Sequence, residues 1–286
     1  MSATTKTLKP HTQTAVLSGD WTIVTPRRAK LKRKSILKVE NLEQHSWTPS
    51  DVEIDADREA KLMKKMEICI RNLENSEFYR NVLVQIQTPQ VLHYFSRNLA
   101  SETKMQMVIY GIGSVESYET PRLQLSLAIL IKKNFNWIGD IEVFDPVLSK
   151  TEIKVLEAWG CSVLMVNEQG RRQVLKPTLF FMPHCEAVLY DNLLQANWRA
   201  EHLNQVVLFG NSFDKYEQHM SEFKNSAIVD SAKFILGVRK FTVEVAIDII
   251  SEDFFRAFHD SSWHFFNLDP QMDVDIHSLK LSSSEQ

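Results

Sequence analysis

The 286-residue sequence has no run of 18 apolar residues, so no transmembrane helix is expected. Residues 1–10 lack the apolar stretch of a secretory signal. Cysteine is scarce: Cys69, Cys161 and Cys185 are odd in number and far apart. They show no paired metal-ligand spacing, and a reduced cytosolic or nuclear compartment fits this usage. No Ser-His-Asp or Cys-His arrangement, kinase signature or paired-carboxylate motif can be placed. No catalytic residue and no metal site are therefore expected, and no cofactor is identified. Hydrophobic content of 44% with 24% charged residues still allows a sizeable globular core.

Positive charge is short over most of the chain. Residues 1–50 hold nine Lys/Arg against three Asp/Glu, or +6, whereas the remainder holds 24 against 33, or −9. An acidic body with a basic arm does not grip nucleic acid through its main face. Direct nucleic-acid and membrane partners are therefore not expected. The arm, residues 1–50, is rich in Thr, Ser, Lys and Pro without periodicity and reads as disordered. Within it, Arg27, Arg28, Lys30, Lys32, Arg33 and Lys34 place six basic residues in eight. That density suits a nuclear import signal, and equally a nucleic-acid arm or a solvated tail. Residues 271–286 are polar and read as a second disordered tail. One α/β domain is expected over residues 51–270.

The body begins with helical spacing. Leu62, Met66, Cys69, Ile70 and Leu73 recur at threes and fours over 55–73. Further helices are predicted over 77–86 and from Pro89 through Leu99. Strands then alternate with helices. Apolar runs at 107–110, 141–144, 162–166, 178–182 and 205–209 are separated by helical patterns over 122–135, 150–159 and 186–198. This alternation predicts a Rossmann-like three-layer α/β domain with a mainly parallel sheet. The passage from the third strand to the fourth shows no helical pattern and leaves room for an antiparallel step. Residues 216–223 read as helix, and 241–245 as an edge strand. Asp253-Phe254-Phe255 and 262–266 are too aromatic for a tail. They either pack back on the body or form a protein-binding patch.

Each predicted strand ends in a small or polar cluster. These are Gly111-Ile112-Gly113-Ser114, Asp145-Pro146, Asn167-Glu168, Pro183-His184-Cys185 and Gly210-Asn211-Ser212. If the strands are parallel, the clusters share the carboxyl edge of one sheet, where open α/β sheets bind ligands. The two glycines resemble a dinucleotide fingerprint but lack its third glycine, and the next helix starts late, at Pro121. A tight strand exit that only needs positive φ is the plainer reading of them. Asp145 sits where a ribose-binding carboxylate would stand, and also where a cap would. His184 beside Cys185 reads first as a helix start. Gln124, on an otherwise apolar helix, needs polar partners. Asn197 closes a helix, while Asn211 and Ser212 offer hydrogen bonds at a strand end.

Taken in order, these motifs, with Arg122-Leu123-Gln124-Leu125, Leu156-Glu157, Gly160-Cys161 and 194–198, resemble the Sensitivity to Red Light Reduced family, its plant members most. The resemblance spans about residues 100–220. It implies a regulatory role: in plants, red-light signalling through phytochrome B and normal running of the circadian clock; in animals, haem biosynthesis and clock function. It implies nuclear and cytoplasmic location and unidentified signalling proteins as partners. It supplies no catalytic residues. The matching positions Gly111, Gly113, Ser114, Gln124, Asp145, His184, Asn197, Asn211 and Ser212 suggest a site for a small polar ligand. A nucleotide- or S-adenosylmethionine-dependent enzyme, methyltransferase-like, is the alternative.

Overall fold

The computed structural model describes residues 46–49, 51, 53–222, 232–248 and 252–269. The basic run Arg27–Lys34 and the segment 271–286 lie outside them. Three helices come first: α1 (Ala56–Glu74), α2 (Glu77–Ile86) and α3 (Pro89–Leu99). Asp55, Ser76 and Thr88 cap them in turn, each side chain accepting from first-turn N–H groups. The stripe Leu62, Met66, Cys69 and Leu73 of α1 is buried.

The α/β part follows as β1 (Met105–Tyr110), α4 (Glu119–Asn134), β2 (Ile138–Phe144), α5 (Lys150–Ala158) and β3 (Cys161–Val163). Then come β4 (Thr178–Met182), α6 (Ala187–Ala196), α7 (Ala200–Leu203), β5 (Val206–Asn211) and α8 (Phe213–Glu222). The described chain closes with α9 (Lys233–Val238), β6 (Thr242–Ala246), α10 (Glu252–Phe258) and β7 (Ser261–Phe266). The seven strands form one sheet in the order β3-β2-β1-β4-β5-β7-β6. The first five are parallel, and β7 runs antiparallel between β5 and β6.

Helices cover both faces. Met107, Ile109, Val143, Leu179 and Phe209 face α1 to α5 and α10, whereas Val108, Phe180 and Leu208 face α6 and α9. The domain is therefore a three-layer, Rossmann-like α/β fold. Successive strands step outward from β1 through β2 to β3, then resume on the other side of β1 with β4. The topological switch point lies between β1 and β4.

Several local expectations are corrected. No antiparallel step separates β3 from β4; both pair in parallel, and an irregular segment over 164–177 connects them. Arg172 holds that segment, bonding Glu168 at 3.0 Å and Glu142 of β2 at 2.5 Å. The third strand is shorter than 162–166, because Met165 O accepts from Trp47 N and Val166 bridges to Ser46 instead. Helix α4 starts at Glu119, three residues before Arg122, because Tyr118 N–H already bonds Ser114 O and turns the chain. The fifth strand continues to Asn211, since β7 pairs with it as far as Asn211↔Ser261. The aromatic run 262–266 belongs to an interior strand, and 242–246 is the edge strand, as its alternation suggests.

Candidate functional site

The β1–α4 turn is the centre of the carboxyl edge. Gly111 and Gly113 have φ of +65° and +77°, which side chains with a Cβ adopt at a cost. A Cβ on Gly111 would also stand 2.6 Å from Cys185 Sγ. The turn and the β4 exit are thus in contact across the switch point. Cys185 Sγ lies 3.1 Å from Tyr110 O and donates to it. Burial raises this thiol's pKa well beyond the usual range, so it is no thiolate nucleophile.

Two buried carboxylates hold the turn. Asp145, directly after β2, accepts from Gly113 N at 2.7 Å and from Val147 N at 3.0 Å. Burial pushes its pKa up, these N–H groups pull it down, and the nearby Glu152 charge raises it again. Glu152 accepts from Ser114 Oγ at 2.7 Å, Glu116 N at 2.9 Å and Ser149 N at 2.8 Å. The last bond completes a capping box with Ser149 at the start of α5. Glu116 is clamped by Arg58 of α1, at 2.8 and 2.5 Å. In phosphate-binding turns such N–H groups point at the ligand. Here the chain's own carboxylates take those of Gly113 and Glu116.

A second cluster gathers at the ends of β4 and β5. His184 is held at φ +59°, strain of a kind found at functional sites. Its N–H donates to Asn211 Oδ1 at 2.6 Å, and Asn211 Nδ2 donates to Cys185 O and lies 3.0 Å from Tyr216 Oη. The ring lies between Gln124 Nε2, 3.4 Å from Nδ1, and His259 O, 3.2 Å from Nε2. A ring with Nε2–H and a bare Nδ1 fits both neighbours. Burial, then the His259 charge, lowers its pKa to about 4. The turn between α10 and β7 closes this side. Its carbonyls at His259 and Asp260 accept from His184 Nε2 and Ser212 N, and Ala257 O, in the last turn of α10, accepts from Gln124 Nε2.

The structure therefore places Gly111, Gly113, Ser114 and Asp145 together, and Gln124, His184, Asn211 and Ser212 together. The two groups abut at Gly111 and Cys185. Asn197 stands apart at the far end of α6. Its side chain accepts from Val174 N at 2.7 Å and donates to Arg172 O and Leu193 O, fastening the 164–177 segment. Sequence reasoning missed Glu152 and the segment 257–260, the end of α10 and the turn into β7. The Ser149-x-x-Glu152 spacing carried a signal for the first. The second depends on the return of β7, which no local pattern marks. Among the described residues, no group of three or more His, Cys, Asp or Glu could hold a metal ion. No described helix is long and apolar enough to cross a membrane.

The SRR1 domain profile matches residues 69–265 of this chain, spanning both clusters. The chain belongs to the SRR1 family. It is 52% identical over 253 residues to Protein Sensitivity to Red Light Reduced 1 of Arabidopsis thaliana, covering 87% of this chain and 91% of that protein. It is 39% identical over 128 residues to the SRR1-like protein of Mus musculus, covering 42% and 49%. Among solved structures, the 23S rRNA methyltransferase ErmE is similar with a TM-score of 0.35 at 8% identity, covering 68% of this chain and 73% of that one. The strand-end residues from Gly111 to Ser212 lie within the matched span.

Proposed function

We propose that this SRR1-family protein is a non-catalytic regulator of red-light signalling, linked to phytochrome B, and of circadian clock input. It acts in nucleus and cytoplasm through signalling proteins, and its sheet edge takes a small polar ligand. The observation that carries the reading is the identity to the Arabidopsis protein along nearly the whole of both chains. The site chemistry supports the absence of phosphate transfer. Asp145 and Glu152 already occupy N–H groups of the glycine turn, and a phosphate there would meet two buried carboxylates. Hydroxyl groups suit the remaining acceptor capacity of Asp145 and the amides of Asn211 and Gln124.

The alternative, a nucleotide- or S-adenosylmethionine-dependent enzyme, draws on one observation. The strand order reverses between β1 and β4, so the glycine turn and Asp145 flank a switch point. Calorimetric titration of the full-length protein with S-adenosylmethionine, ATP and haem separates the readings. The regulator reading expects no ATP binding, and rescue of red-light responses in a line lacking the Arabidopsis relative. ATP or S-adenosylmethionine binding lost on Asp145→Ala, together with turnover, would establish the enzyme instead.

A further inference from the structure

Ser262 and His264 stand two apart in β7 and so project from one face of the sheet. It is the face of Leu208, which packs on α6 and α9. Their relative exposures are 1% and 0%. Ser262 Oγ and His264 Nε2 have no hydrogen-bond partner among the described residues. Nδ1 of His264 lies 3.3 Å from Leu208 O. Nε2 lies 3.8 Å from Glu244 Oε1 of β6, beyond hydrogen-bonding distance.

The row of the sheet that holds Ser262 is low. Its cross-strand neighbours are Gly210 of β5 and Ala246 of β6, so no side chain in that row is larger than a hydroxymethyl group. In the next row Leu208, His264 and Glu244 stand taller. The step between the two rows is a notch. Tyr190 leans on Gly210, but its hydroxyl is engaged with Met182 O and Asn211 N. The Phe213 ring covers His264, 4.2 Å away between centroids. Ala246 is exposed, so the low row opens to solvent at the sheet edge.

The His264 ring is neutral: burial lowers its pKa to about 4, in spite of the Glu244 charge. A neutral imidazole has one N–H and one lone pair. With the N–H on Nδ1, the Leu208 carbonyl accepts it, and the Nε2 lone pair is left facing a carboxylate oxygen. Two acceptors held apart in this way need a donor of two hydrogens between them. The Ser262 hydroxyl, beside them on the same face, needs an acceptor for its own hydrogen. One water meets all three demands, donating to Nε2 and to Oε1 and accepting from Oγ. Three hydrogen bonds are typical of an internal water.

We propose that an internal water is bound in this notch, bridging His264 Nε2, Glu244 Oε1 and Ser262 Oγ. It joins the last two strands of the sheet where their polar side chains do not meet. It also steadies Glu244, whose Oε2 accepts from Asp214 N at 3.1 Å in the first turn of α8. Helix α8 begins directly after Ser212, so the water supports the helix that leaves the candidate site.

A crystal structure of the full-length protein should show an ordered water within hydrogen-bonding distance of all three atoms. Nitrogen-15 spectra of the labelled protein at neutral pH should show Nδ1 of His264 protonated and Nε2 bare but accepting a hydrogen bond. Ser262→Val removes the hydroxyl and puts a methyl group in the notch. In that variant the Nε2 resonance should move to the position of a bare nitrogen that accepts no bond, with Nδ1 still protonated. A dry contact among the three side chains in the crystal overturns the proposal. So does a proton on Nε2, or an Nε2 resonance that is the same in wild type and Ser262→Val. If Ser262→Val does not fold, the wild-type crystal structure and tautomer decide by the same criteria.

Discussion

Asp145 Oδ2 accepts the Gly113 N–H at 2.7 Å, joining the exit of β2 to the turn that leaves β1. The bond makes one residue both a structural pin and a carboxylate beside the switch-point turn. A cap alone would touch only its own loop. A ligand carboxylate alone would leave the turn's N–H groups to the ligand.

Asp145→Ala removes the acceptor for two backbone N–H groups, Gly113 and Val147. Stranding them costs about 2–3 kcal/mol, and a melting-temperature fall of roughly 5–10 °C is expected by calorimetry. Asp145→Asn, which keeps one acceptor oxygen, should fall less. Burial holds the Asp145 carboxyl above its ordinary 3.8, so the folded state takes up this proton first. Wild type should accordingly gain on Asp145→Asn as pH falls toward 3.8. Equal stability of all three proteins would remove Asp145 from the architecture of the turn.

Gly111→Ala should be among the costliest glycine substitutions. The added methyl meets Cys185 Sγ at 2.6 Å while φ stays at +65°. Overpacking adds about 1–3 kcal/mol to a left-handed penalty of about 1–2 kcal/mol. Gly160→Ala separates the two effects, since its φ is +78° with nothing within 4 Å. Adding Cys185→Ala to Gly111→Ala should restore part of the loss, and a double-mutant cycle by urea unfolding measures it. Additive single losses would mean that the methyl finds room elsewhere.

Helices α1, α2, α3 and α5 are legible in sequence because side-chain caps start them, and the first five strands because each is a short apolar run that ends in a small or polar cluster. Asp145 and the glycines are legible as strand exits. What escapes is what depends on distant pairing. Ser261 to Phe266 is buried at every position and has no alternation, since both of its faces are covered. A run buried on both faces has no period to read. The end of α10 and the turn into β7, which receive Gln124, His184 and Ser212, follow from that strand, so the closed side of the site was hidden with it. Asn197 misled for a related reason: the residues at a helix end and at a strand exit look alike in sequence.

The basic run Arg27–Lys34 is the basis for nuclear entry in the proposed function. Replacing Lys30, Lys32, Arg33 and Lys34 by Ala removes four of its six charges. Fused to a reporter too large for passive diffusion, the variant should shift from nucleus to cytoplasm under the microscope. Unchanged nuclear signal from that fusion would place the import function elsewhere.

His184 should make the fold acid-sensitive. Its pKa is lowered to about 4 by burial first and by His259 second, below the unfolded value of about 6.5. The folded ring stays neutral where the unfolded one takes a proton. Its contribution is therefore complete above about pH 6.5 and lost as pH falls toward 4, a change on the order of 2–3 kcal/mol. Protonating Nδ1 would also set a donor against the Gln124 amide, 3.4 Å away. His184→Asn is the suitable comparison, because Asn tolerates the left-handed backbone and does not titrate. The wild-type advantage over His184→Asn should shrink between pH 6.5 and 4, and the His184 ring signal should titrate near the lower end. A ring that titrates near 6.5, with a stability gap independent of pH, would mean that water reaches His184 and that the α10–β7 turn does not close over it.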